Sequence, residues 1–126
     1  MEGSLEDNDS IDKKFQKELS AGISALVLLR VLDGAEQPMY GYQIAKIIAS
    51  EQNEALKYKQ GVLYPVLRSL EESGLLESNV EPSVSGPPRR YYQITSFGRE
   101  TLQRWVSIWN HSNAFVNTIL EGKYHV

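Results

Sequence analysis

The chain contains no cysteine, which excludes disulfides, thiol nucleophiles and thiolate metal sites. It holds only two histidines, His111 and His125, and neither lies near a carboxylate pair or a nucleophile motif. No metal-ligand spacing, phosphate-cradling glycine loop or nucleophile elbow is present. Catalysis is therefore not expected, nor is a cofactor or a metal. No apolar run approaches the ~20 residues that cross a bilayer. The N-terminus is acidic and polar rather than a secretory leader, so the expected compartment is the cytoplasm. A basic surplus is missing as well. Lys and Arg total 13 against 16 Asp and Glu, a net charge of −3. Such a chain is a poor general binder of nucleic acid.

What is present matters more for where it lies than for how much there is. The 126 residues, 41% of them hydrophobic, suit one compact domain. Acids crowd the start: Glu2, Glu6, Asp7, Asp9 and Asp12. Two stretches have cations and no acid. One runs from Lys57 to Ser69 and holds Lys57, Lys59 and Arg68; the other runs from Pro82 to Arg99 and holds Arg89, Arg90 and Arg99.

The first acid-free stretch opens a short helix expected over residues 61–73. Leu63, Leu67 and Leu70 recur at helical spacing and form one apolar stripe. Tyr64 and Arg68, four apart, share another face and point to water. Gly74 suits a left-handed helix end. Such a helix, with cations at its start, has the form of an element that enters a DNA major groove. An ordinary amphipathic helix with a solvated outer face would look the same on this segment alone.

Around it the chain reads in order. Residues 1–10 form an expected disordered acidic N-terminus. A first helix runs from about Ile11 to Leu32, amphipathic at Ile11, Phe15 and Leu19, then apolar nearly all round from Ile23. Gly22 within it marks a bend or a close crossing. Gly34 and Pro38 stop that helix. A second short helix follows, from Gln43 to about Ser50, with Tyr42, Ala45 and Ile48 or Ala49 facing inward. Gly41 ahead of it signals a special backbone angle or a tight approach. After the central helix comes a hairpin, from Leu75 to Val80 and from Arg89 to Ile94. Between the strands, Pro82, Gly86, Pro87 and Pro88 forbid regular structure, so this loop projects.

Thr95 caps a last helix expected to reach about Glu121. Leu102, Val106, Trp109, Asn113, Val116 and Leu120 follow one another at spacings of four and three, a heptad seam with Asn113 as its polar member. A helix this long and this apolar is not covered by a small domain, so these six residues are the expected dimer contacts, with a two-fold homodimer as the partner. Trp105 and Trp109 stand one turn apart, a helical spacing at which aromatic residues are usually packed core.

The expected fold is mainly α with a small β-hairpin. A winged helix-turn-helix occupies residues 11–95 and a dimerisation helix residues 96–126, the N- and C-terminal helices forming the dimer interface. The helix over 61–73 reads the major groove, and the wing over 76–94 lies along the backbone or minor groove. The residues also resemble a known family, the PadR winged-helix transcriptional regulators. The resemblance rests on Ala25 to Gly34, on Tyr40-Gly41-Tyr42-Gln43-Ile44, on Gly61-Val62-Leu63-Tyr64-Pro65 with Leu67 and on to Leu76, and on Arg89-Arg90-Tyr91-Tyr92 with Thr95 and Gly98. The single long helix after the wing is similar to the small subgroup of that family. The resemblance implies a dimeric DNA-binding repressor that uses Tyr64 and the wing residues Arg89 and Arg90. Val62 and Lys59 depart from the family pattern, which has Ser or Thr at the first and a small capping residue at the second. The candidate DNA contacts are therefore Lys57, Lys59, Gly61, Tyr64, Arg68, Arg89 and Arg90, acting on a pseudo-palindromic duplex. The alternatives are a regulator released by a small planar aromatic effector at Trp105 and Trp109, which the resemblance implies because some members of that family hold flat aromatic compounds between dimer helices, and a winged-helix interaction module without DNA binding.

Overall fold

The computed structural model describes residues 5–51 and 60–125. Helix α1 spans Leu5–Asp33, strand β1 Met39–Tyr40, helix α2 Gly41–Glu51 and helix α3 Gln60–Glu72. Strands β2 (Leu76–Glu81) and β3 (Arg89–Ile94) follow, and helix α4 spans Ser96–Leu120. The fold is a winged helix-turn-helix with long helices before and after it.

Helix α1 starts at Leu5, so residues 5–10, expected to be disordered, are helical. Glu6 and Asp7 lie in its first turn, where carboxylates suit the exposed N–H groups and the helix dipole. Lys13 pairs with Asp9 at 2.9 Å, one turn apart. These acids mark a helix start rather than a frayed tail.

The sheet has three strands in the order β1-β3-β2, all antiparallel. The hairpin is the expected one, while β1 is new. Two residues are too few to show an alternating pattern, and Met39 and Tyr40 are fixed by pairing with Tyr92 and Tyr91. Opposed residues share a face, so Met39, Ser78 and Tyr92 lie on one side and Tyr40, Asn79 and Tyr91 on the other.

The core sits where α1, α2, α3, the sheet and the first turns of α4 meet. Leu28, Leu29, Ile44 and Leu67 are fully buried, and Leu63, Leu70, Leu76 and Ile94 close around them. The leucine stripe of α3 is thus its buried face. Ile44 and Ile48 supply the buried side of α2, whereas Tyr42, expected inward, is exposed and stacks on Tyr40 instead. Gly22 marks no close crossing within the chain, since a Cβ there would meet nothing.

Two devices join α3 to α4. Gly74 is left-handed (φ 80°); its N–H donates to the Glu71 carbonyl and that of Leu75 to the Leu70 carbonyl, both at 2.9 Å. This Schellman end turns the chain sharply into β2. Thr95 then accepts the Gly98 N–H at 2.9 Å, capping α4, while its hydroxyl donates to the Gly74 carbonyl at 2.7 Å.

Candidate nucleic-acid interface

The outward face of α3 follows from its inward one. With Leu63, Leu67 and Leu70 buried, Val62, Tyr64 and Arg68 are left exposed. Pro65 lies within this helix and brings no N–H, so the Gly61 carbonyl receives no bond from it. Gly61 belongs to the first turn. Lys57 and Lys59, expected to add positive charge at the helix start, lie outside the described residues.

Tyr64 is 41% exposed. Its ring lies against the first residue of α2: a Cβ at Gly41 would stand 2.6 Å from both Tyr64 Cε1 and Tyr64 Oη. Gly41 is absent from the left-handed glycines, so of the two readings its spacing allowed, the tight approach is the one observed.

The wing base carries the other two candidates on opposite faces of β3. Arg89 places Cζ 4.5 Å from the centroid of the Tyr40 ring, a cation–π contact. Tyr91 meets the same ring edge-on at 5.4 Å. On the other face Arg90 Nη1 donates to Ser78 Oγ at 2.9 Å, and that hydroxyl donates to the Glu71 carboxylate, 2.8 Å from Oε2. Glu71 thus ties α3 to the wing through Ser78. Beneath this chain burial, together with the Glu71 carboxylate, pushes the Tyr92 phenol above its ordinary pKa. The loop between β2 and β3 projects as expected, with Val84 fully exposed at its tip.

Of the seven candidate DNA contacts, the structure brings Tyr64, Arg68, Arg89 and Arg90 to exposed positions on α3 and the wing base. Sequence reasoning missed Tyr40, which joins the wing base to α2. Two adjoining tyrosines around a glycine were visible, but not the ring and guanidinium that would meet them.

The expected dimer seam divides. Leu102 is buried in the chain's own core, and Trp105 packs partly against it. Leu102 is therefore not available to a partner: it lies in the two turns of α4 that pack on α1 and the sheet. Val106, Trp109, Asn113, Val116 and Leu120 are all exposed. Trp105 and Trp109 line a groove of about 400 Å³ between α1 and α4, with Leu19, Gly22, Ile23 and Leu26 opposite. Gly22 leaves this groove open where a side chain would narrow it.

Among the described residues there is no group of three or more His, Asp or Glu able to hold a metal, and no helix long and apolar enough to cross a membrane.

Comparison with known proteins agrees with this architecture. A PadR family transcriptional regulator from Eggerthella lenta is 30% identical, with a TM-score of 0.72 over 93% of this chain and 98% of its own. A transcriptional regulator from Clostridium thermocellum is 26% identical, with a TM-score of 0.70 over 80% and 93%. An uncharacterised protein from Lysinibacillus sphaericus is 30% identical across 76% of this chain and 86% of its own. The model of the transcriptional regulator PadR-like family matches residues 28–104, which reach from the buried second half of α1 through the wing to the packed turns of α4. On that match the chain belongs to the PadR-like family of DNA-binding transcriptional regulators.

Proposed function

We propose that the protein is a dimeric repressor, with α3 of each protomer in the major groove of one half of a pseudo-palindromic site and the wing on the backbone. The observation that carries this reading is the division of α3. Its leucines are buried in the core, while Tyr64 and Arg68 are exposed, as are Arg89 and Arg90 at the wing base. Arg68, Arg89 and Arg90 bring positive charge to this face although the net charge of the chain is −3, and phosphate contacts made there carry the salt dependence.

The dimer rests on the far half of α4. Phe115, Val116, Ile119 and Leu120 are exposed together on it, and Ile11, Phe15 and Leu19 are exposed on the first half of α1. Two such faces, related by a two-fold axis, cover one another. The repression it serves acts in the cytoplasm.

The test is selection of bound duplexes from fragmented genomic DNA of the source organism, at low and physiological salt. Enrichment of a two-fold symmetric site beside a promoter supports the reading. Binding to that site falls steeply with salt, and Arg89→Ala lowers the slope by about one. Enrichment of nothing, with the protein folded and dimeric, favours an interaction module without DNA binding.

The groove at Trp105 and Trp109 favours a second, compatible reading, in which a planar aromatic compound binds there and releases DNA. That reading predicts quenching of tryptophan fluorescence by such compounds. An unchanged spectrum across a broad panel rejects it.

A further inference from the structure

We propose that the Tyr40–Gly41 step, at the junction of β1 and α2, is a positioning element that sets two DNA-contacting side chains at once: Tyr64 from α3 and Arg89 from β3. It rests on the reading of α3 and the wing as the DNA face. Gly41 is at the first position of α2 and does not adopt a left-handed backbone, so its conformation does not demand glycine. What demands glycine is the Tyr64 ring, with Cε1 and Oη 2.6 Å and Cζ 2.8 Å from where a Cβ would be. The ring is not a core member: it is half in solvent while its neighbour Leu63 is buried. A half-exposed ring whose phenol end rests against bare backbone is held by that contact and fixed in direction.

Tyr40 does the same for the wing. Its ring lies under the Arg89 guanidinium, with Tyr91 edge-on and Tyr42 stacked at 6.3 Å and 20°. The step itself is anchored. Tyr40 pairs with Tyr91 in the sheet, and its N–H donates to Gln43 Oε1 at 3.1 Å, which fixes the turn into α2. One rigid corner therefore touches a side chain from each of the two elements that meet DNA. Neither Tyr40 nor Gly41 has to reach the duplex to govern how it is met.

The experiment is a pair of double-mutant cycles, read as affinity for a fluorescein-labelled duplex of the genomically selected site and for a scrambled duplex of equal length. The atoms that a Cβ at 41 would strike are the far end of a side chain. Gly41→Ala is therefore expected to fold and to swing the Tyr64 ring aside. It weakens binding to the selected duplex on the order of tenfold, as Tyr64→Ala does, and the two together cost no more than one. Tyr40→Leu weakens binding when Arg89 is present and has no effect on top of Arg89→Ala. Binding to the scrambled duplex changes little in Gly41→Ala. A purely structural role would instead give additive losses, with Gly41→Ala costing the same factor in the Tyr64→Ala background, and that outcome overturns the proposal. So does parent-like affinity of Gly41→Ala. Thermal unfolding is followed alongside, and if Gly41→Ala does not fold, the Tyr40 and Arg89 cycle decides. Parent-like affinity of Tyr64→Ala and Arg89→Ala instead removes the DNA-face reading itself.

Discussion

Helix α4 carries one apolar pattern along its whole length and meets two environments. Near its start Leu102 is 5% exposed, packed with Leu28, Leu29 and Ile94 in the core cluster. Near its end Phe115 is 66% exposed and Leu120 is 78% exposed. The heptad spacing is the same in both halves. Periodicity states that a face needs covering; it does not state by what. The near half is covered by the chain's own α1 and sheet. The far half extends past the domain, and a second copy is what we propose covers it.

The sharpest way to break this comparison is to substitute in both halves and vary protein concentration. Leu102→Ala opens a cavity inside one protomer and is expected to cost roughly 2–5 kcal/mol in chemical unfolding. That loss is the same at every protein concentration, because no partner is involved. A Leu102→Ala loss that shrinks on dilution would assign Leu102 to the interface after all.

Phe115→Asp is the counterpart in the far half. It buries no charge in the isolated chain and leaves the helical signal of the domain intact. It places a carboxylate in the proposed interface and weakens association by about 2 kcal/mol, roughly thirtyfold. Sedimentation of the parent gives the mass of two chains and of the variant the mass of one, with the unfolding midpoint of the parent alone rising with concentration. Equal masses for the two proteins would refute the dimer face.

This contrast also explains what was legible beforehand. Strong local signals sufficed for α3, for the hairpin and for the Thr95 cap, since the leucine stripe, the proline-rich loop and the capping residue each act within a few residues of themselves. The start of helix α1 is not legible in the sequence because acids at a helix start and acids in a frayed tail share a composition, and Glu6 and Asp7 occupy a first turn only in the folded chain. Strand β1 exists through its partner β3, which no two-residue pattern reveals. At the candidate site Tyr64 and the arginines could be named from their faces. Their fixing could not: the Gly41 contact, the Tyr40 platform and the link from Glu71 through Ser78 to Arg90 join residues far apart in sequence.

The joint between the two halves of the molecule offers a smaller test. Thr95 caps α4 and bonds back to the end of α3, so Thr95→Ala strands the Gly98 N–H. The expected cost is about 1 kcal/mol, measured in urea and independent of concentration, as for Leu102. Thr95→Ser keeps the oxygen and recovers most of it. If serine does no better than alanine, the threonine methyl rather than the cap is what stabilises the joint.

The smallest expected effect is at the surface of the same joint. Asp33, the last residue of α1, lies 3.4 Å from Arg99 Nε and 3.9 Å from Arg30 Nη1. Both arginines are more than half exposed, so water and salt screen the attraction. Exposed pairs of this kind contribute about 0.2–1 kcal/mol. Asp33→Asn is therefore expected to lower stability by no more than that at low salt, and by nothing measurable at high salt. Because Arg99 is in the near half of α4, the loss is independent of protein concentration, which places it with Leu102 and Thr95 and apart from Phe115. A loss that persists undiminished in high salt would mean that Asp33 acts as a structural acceptor at the end of α1 rather than as a charge.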